Sequence, residues 1–175
     1  VLVGLGHVGS EIARRAAAFD VTVTAVTRSG RSSPLAARTL SSSRLAEAVT
    51  AADHLVLAVP DSVETRGLVD DHVLDRLAPH ACVVNVGRPR VLDTTALLRR
   101  LRIGALRAAM LDVHDVEPLP GDDERWDVPN LWVTPHGAYR FEREEQGVAD
   151  VFAENLEDFR KGSPLRDRVN LDASR

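Results

Sequence analysis

The strongest constraint on how this chain can fold lies in its first twenty residues. Val1-Leu2-Val3 is an apolar run, Gly4-Leu5-Gly6-His7-Val8-Gly9 is a glycine-rich turn, and residues 10–19 form a helix-favouring segment. Strand, glycine turn and helix in this order predict the first unit of a parallel α/β sheet. Each glycine has its own physical reason: one permits the tight turn, one lets the backbone approach a pyrophosphate, and one lets the helix pack closely on the strand. The phosphates would lie at the helix N-terminus, where backbone N–H groups and the helix dipole favour anions. Such turns also serve packing alone, but the flanking strand and helix favour dinucleotide binding through Gly4, Gly6, Val8 and Gly9. His7, inside the turn, either approaches the cofactor or stands on the surface.

The remaining chain alternates between the two kinds of element. A strand over 21–26 ends at Thr27-Arg28-Ser29-Gly30-Arg31, where an NAD site would place Asp or Glu for the ribose hydroxyls. No acid stands there. Thr27, Arg28, Ser29 and Arg31 offer hydroxyls and positive charge, which suit the extra phosphate of NADP; the other reading is an ordinary solvated loop. Serine clusters bracket a loop over 32–43, and 45–49 reads as a short helix. Nearly continuous apolar runs over 54–59, which stops at Pro60, and 81–86 read as strands covered on both faces. Helices follow over 71–77 and, capped by Asp93, over 94–101. Further strands are predicted over 105–111 and 131–133. A last helix is predicted from about Tyr139-Arg140, with Val148, Val151, Phe152, Leu156 and Phe159 on one face and Gly162 as its stop. The pattern is that of a Rossmann-type, doubly wound parallel sheet with helices on both faces and right-handed crossovers. In such sheets ligands bind beyond the carboxyl ends of the strands, where Gly6, Thr27, Pro60, Arg88, Asp112 and His136 fall.

Composition narrows the function. With 175 residues and 44% hydrophobic content, the chain suits one well-buried domain. A formal net charge of −4 provides no basic field for nucleic acid, and no apolar run approaches the roughly 20 residues of a membrane helix. A cytoplasmic protein is expected. Cys82 is the single cysteine, so an internal disulfide is excluded and a buried structural thiol is predicted. No metal-ligand spacing occurs. Val1 already belongs to a strand, with neither an initiating Met nor a signal peptide before it, which leads to the expectation of a fragment. Trp126 and Trp132 are expected to pack, while His54, His72, His80 and His114 are expected to be structural or solvent-facing. The stretch from Ala109 to His136 instead carries acid/base character, because a histidine beside a buried carboxylate has its protonated form favoured. Taken singly, Arg88, Glu117 and His136 read equally well as a surface charge, a solvated acid and a structural histidine.

Together, five motifs resemble the D-2-hydroxyacid dehydrogenase family in order and spacing. They are Gly4 to Gly9; Val59-Pro60 with Glu64-Thr65-Arg66-Gly67-Leu68; Asn85-Val86-Gly87-Arg88; Leu111-Asp112-Val113 with Glu117-Pro118-Leu119-Pro120; and Pro129-Asn130 with Thr134-Pro135-His136. The resemblance implies that Arg88 binds and polarises a 2-oxo acid, that His136 is the general acid, and that Glu117 pairs with it. It implies that Val59, Pro60, Thr65, Val86, Gly87 and Asp112 join the cofactor site, Asp112 at the nicotinamide end. The implied reaction is reduction of a 2-oxo acid to a D-2-hydroxy acid with NADPH, or with NADH as the second choice, and glyoxylate or hydroxypyruvate reductase as the nearest type. A homodimer is implied for a full-length member, and a second domain completing the cleft is absent from this chain. Residues 1–163 are accordingly expected to form the dinucleotide-binding domain and 164–175 a tail returning towards that second domain. Alternatives are a nucleotide-sensing, corepressor-like scaffold and an inactive fragment that only binds cofactor. The chain departs from the family at Pro89-Arg90 and at Gly137-Ala138-Tyr139.

Overall fold

The computed structural model describes residues 1–168 and divides into two compact units, Val1–His136 and a second from Gly137 onwards. The first unit contains a seven-stranded parallel sheet. Its elements run β1 (Leu2–Val3), α1 (His7–Ala17), β2 (Thr24–Thr27), β3 (Arg38–Ser41), α2 (Leu45–Ala48), β4 (His54–Leu57), α3 (Asp71–Asp75), β5 (Cys82–Asn85), α4 (Thr94–Arg102), β6 (Ala108–Leu111) and β7 (Leu131–Val133). The strand order is β3-β2-β1-β4-β5-β6-β7, all parallel. The order reverses between β1 and β4, which makes that crevice the topological switch point of a Rossmann-type sheet.

Register explains what each face does. Leu40, Val26, Val3, Leu57, Asn85 and Leu111 form a row across the sheet, and each is almost fully buried. The apolar members of that row share one core with Leu45 and Val49 after β3, Val73 and Leu74 of α3, and Leu97 and Leu101 of α4. Residues one step along each strand face the other way. There Ala25 and Leu2 are buried, as is Ala13 of α1, whereas Met110 and Trp132 at the far end of the row are 36% and 60% exposed. This face is closed near β1 and open near β7.

Among the described residues, two α-helices carry side-chain caps. The Asp70 carboxylate accepts from the Val73 N–H at the start of α3, and the Asp93 carboxylate accepts from the Ala96 N–H at the start of α4. Asp93 is the cap expected from the sequence.

Several expectations need correction. The serine-bracketed loop contains β3, an edge strand whose single core residue, Leu40, carries too little apolar alternation to announce it. Helix α1 begins at His7, so Val8 and Gly9 belong to its first turn. Cys82 is half-buried because it opens β5 on the less covered face. Trp126 and Trp132 are more than half exposed and do not serve as core residues. In the second unit the helix α5 (Glu144–Arg160) starts four or five residues later than expected, and none of its residues is buried. Val148, Phe152 and Phe159 are 66%, 69% and 71% exposed. The expected tail over 164–175 lies partly outside the described residues, which end at 168.

Replacing Asp93 by Ala removes the acceptor for an otherwise unpaired N–H in α4, so stability should fall by about 1 kcal/mol. Urea denaturation reads this as a lower midpoint with an unchanged slope.

Candidate active site

The glycine turn is organised by two close contacts. Gly4 has φ +98°, and a Cβ there would lie 2.5 Å from the Ala58 carbonyl oxygen. A Cβ on Gly9 would lie 2.0 Å from the Gly4 carbonyl oxygen. Bare backbone at both positions lets α1 rest directly on the end of β1. A Cβ on Gly6, by contrast, would meet nothing within 4 Å, so that glycine borders open space. Gly6 caps α1 without any side-chain hydrogen bond, and no acid stands in the first turn. A helix start of this kind favours an anion.

Beside it lies a cavity of about 340 Å³ whose walls come from the ends of β1 and β2, the turns following them, Ser42 just after β3 and the loop following β4. Of the residues singled out from sequence, Gly4, Gly6, Thr27, Arg28, Val59, Pro60 and Thr65 line it. His7 does not line it but borders, with Ser10, Glu11 and Arg14, a neighbouring depression that shares Leu5 and Gly6 with the cavity. Ser29 and Arg31 do not line the cavity: the Ser29 hydroxyl accepts from the Arg31 N–H at 3.4 Å. Thr27 Oγ1 accepts from the Gly30 N–H, which closes the turn that presents Arg28. Ser62, Glu64 and Leu68 also line the cavity, although sequence reasoning did not place them in the site. The signal was their position just beyond the end of a strand at Pro60.

Farther along the carboxyl edge, the ends of β5, β6 and β7 are cross-tied. Asn85, 1% exposed, also organises the site, although sequence reasoning quoted it only within a motif and gave it no role. Its side-chain amide donates to the Arg88 carbonyl at 3.0 Å, its side-chain oxygen accepts from the Gly87 N–H, and its own carbonyl accepts from the Asp112 N–H. A Cβ on Gly87 would lie 2.7 Å from the Val59 carbonyl oxygen, which joins the Val86-Gly87 turn closely to the end of β4. Pro89 opens a short 3-10 turn over Pro89–Val91, a position where its missing N–H costs nothing. The departure from the family at Pro89-Arg90 is thus accommodated locally. Arg88 itself is exposed, with Nη1 donating to the Gly87 carbonyl.

Asp112 is 2% exposed and accepts from Thr134 Oγ1 at 2.5 Å, linking the ends of β6 and β7. His136 has φ +51°, in the left-handed region, and its Nδ1 lies 2.8 Å from Glu117 Oε2. The other oxygen of Glu117 accepts from the His114 N–H at 2.9 Å. The hydrogen bond from His136, followed by the one from His114, holds the Glu117 carboxyl below its ordinary range. The side chain of Glu117 is 36% exposed and that of His136 is 34% exposed. Their pairing engages Nδ1, one of the two functional nitrogens of the imidazole. His114, 5% exposed, is structural as expected: Nε2 meets the Thr134 carbonyl at 2.9 Å. Near it, the Asp123 carboxylate makes a two-pronged pair with Arg125. That hydrogen bonding, against the opposing cost of burial, pulls Asp123 down to about 2.

Among the described residues, no group of His, Cys, Asp and Glu could hold a metal ion, and no helix is long and apolar enough to cross a membrane.

Comparison with known proteins bears on the whole arrangement. Residues 1–138 match the family model described as D-isomer specific 2-hydroxyacid dehydrogenase, NAD binding domain. A glyoxylate reductase from Pyrococcus furiosus is 34% identical over 162 residues, which cover 92% of this chain and 48% of that protein. A D-3-phosphoglycerate dehydrogenase from Bacillus subtilis is 33% identical over 172 residues, covering 98% of this chain and 33% of the relative. The solved structure of an NADPH-dependent glyoxylate/hydroxypyruvate reductase from Sinorhizobium meliloti, in complex with NADP and sulfate, superposes with a TM-score of 0.90 at 28% identity. That likeness covers 99% of this chain and 56% of the solved one. The chain therefore spans about half, or less, of the length of these relatives.

The Asp123–Arg125 pair has a pH signature. Because the folded-state value of Asp123 is depressed from 3.8 to about 2, its stabilisation is complete above pH 3.8 and is lost progressively as pH falls towards 2. Asp123→Asn should remove that part of the acid dependence, leaving a shallower fall in thermal midpoint between pH 4 and 2 than in the parent.

Proposed function

The chain belongs to the D-isomer specific 2-hydroxyacid dehydrogenase family, and from that premise we propose that it is the cofactor-binding, proton-donating half of an enzyme that reduces a 2-oxo acid to a D-2-hydroxy acid. The hydrogen bond between His136 Nδ1 and Glu117 carries this reading. It joins a proton-transferring side chain to a sheet edge suited to a dinucleotide, and a protein that only senses nucleotide needs no such pair.

The cofactor fits this chain on two observations: the space beside Gly6 at the uncapped start of α1, and the cavity that continues from it towards Arg28. Gly4, Gly6, Val8 and Gly9 would hold the pyrophosphate end, Thr27 and Arg28 the adenosine end, and Val59, Pro60 and Thr65 the wall between. Val86, Gly87 and Asp112 would border the nicotinamide end. NADP is the preferred cofactor in this reading because Arg28 reaches the cavity and no acid follows β2; NAD is the second choice. Bound there, the reduced nicotinamide would supply a hydride to the carbonyl carbon.

The residues of this chain do the rest. Arg88 presents a planar guanidinium at the end of β5, suited to the carboxylate and carbonyl of a 2-oxo acid. His136 would give a proton from Nε2 to the carbonyl oxygen, which makes the product the neutral alcohol. Glu117, held by the His114 N–H, keeps the imidazole oriented and offsets the charge it carries before transfer. A small substrate such as glyoxylate or hydroxypyruvate is the preferred class, in line with the names of the Pyrococcus and Sinorhizobium proteins. In this reading residues 1–163 are the dinucleotide-binding domain, and a substrate domain outside this chain supplies the remaining wall of the cleft and completes a homodimer-forming enzyme.

Two measurements test it. In a protein carrying both halves, His136→Ala should lower kcat for 2-oxo acid reduction by about 10²–10⁴-fold with NADPH affinity retained; turnover close to the parent's would remove His136 from the mechanism. Arg28→Ala should weaken NADPH binding about tenfold to a hundredfold, the cost of a hydrogen bond to a charged group, with little effect on NADH. Equal losses for both would refute the NADP assignment.

A further inference from the structure

We propose that Glu64 is a specificity-determining residue that restrains the preference for NADP over NAD, by pairing with Arg28 across the cavity and opposing a 2′-phosphate at that guanidinium. The proposal rests on the reading of the cavity as the cofactor site with Arg28 at its adenosine end.

Arg28 stands at the end of β2 and Glu64 on the loop after β4, so the two reach the cavity from different walls. Arg28 Nη2 lies 3.7 Å from Glu64 Oε2. Glu64 is held in place on its own side. The Ser62 hydroxyl donates to the same Oε2 at 2.7 Å, and Ser62 is only 9% exposed. The Ser62 N–H in turn donates to Thr65 Oγ1, whose hydroxyl donates to the Pro60 carbonyl. The Ser62 hydrogen bond, then the Glu64 backbone, then the charge of Arg28 keep the Glu64 carboxyl below its ordinary range, so it is ionised throughout the neutral region.

That geometry sets two anions in competition for one guanidinium. A 2′-phosphate carrying close to two negative charges must draw Arg28 from Glu64 and then remain near the carboxylate. The 3.7 Å between Arg28 and Glu64 is well inside the Debye length of about 8 Å at physiological salt, so mobile ions do not cancel the repulsion that a phosphate seated on that guanidinium would meet. An unphosphorylated ribose brings no charge, and its hydroxyls can donate to the carboxylate. Glu64 thus offers, from the β4 loop, the acid that is missing after β2, and the site holds a selector for each cofactor.

Isothermal titration of NADPH and NADH into the protein and its Glu64→Gln variant, at one fixed ionic strength, tests this. The amide keeps the size and a contact to Ser62 while removing the charge. The ratio of the NADH Kd to the NADPH Kd should rise about two- to fivefold, the range expected for an exposed charge pair, through tighter NADPH binding. The Arg28→Ala variant, titrated alongside, separates the two levels. If its loss is selective for NADPH while Glu64→Gln leaves the ratio unchanged or lowers it, the role of Glu64 is overturned and the NADP reading stands. If Arg28→Ala weakens both cofactors equally, the NADP reading falls and the role of Glu64 falls with it.

Discussion

The contact of Gly9 with the Gly4 carbonyl is the constraint on which the rest of the molecule depends. A methyl group at residue 9 would stand 2.0 Å from that oxygen, so only bare backbone lets α1 turn back immediately onto β1. Because α1 starts there, its N-terminus opens at the carboxyl edge of the sheet, next to the point where strand order reverses between β1 and β4. A similar approach of Gly87 to the Val59 carbonyl brings the turn after β5 against the end of β4. Absent side chains at a few turns thus set the floor on which every candidate site residue stands.

Above that floor the edge has two differently built ends. The β2–β1–β4 end is an apolar-walled cavity with charge only at its rim, where Arg28 and Glu64 face each other. The β5–β6–β7 end is a mesh of hydrogen bonds: Asn85 to Arg88 and Asp112, Asp112 to Thr134, His114 to Thr134 and Glu117, and Glu117 to His136. Buried polar groups of this kind are costly unless each is satisfied, and satisfying them holds three loops in fixed relation. The left-handed backbone of His136 belongs to this mesh, since the residue takes that conformation while its ring is held by Glu117.

Much of this was legible in the chain, element by element. The strands β4, β5 and β6 announce themselves as apolar runs because both of their faces are at least partly covered, and Asp93 announces α4 because a carboxylate before a helical pattern has one obvious use. β3 stayed hidden because an edge strand needs only Leu40 to reach the core. The start of α5 was misplaced because charged and aromatic residues over 139–143 have helical propensity without a helical fold around them. Glu64 and Asn85 sat inside recognisable motifs, yet nothing in their spacing says that one crosses a cavity to an arginine and the other ties two loops to a third.

The sequence by itself determined the unit of construction, the carboxyl-edge position of the candidate residues and the family, because glycine spacing, apolar runs and motif order are local or linear properties of the chain. Only the tertiary structure decided which of those residues meet. It left His7, Ser29 and Arg31 outside the cavity lining, brought Glu117 to His136 in a half-exposed pair, and set Glu64 opposite Arg28. Partners such as these lie 19 and 36 residues apart, and their meeting is fixed by strand order and register, which no short stretch of sequence encodes.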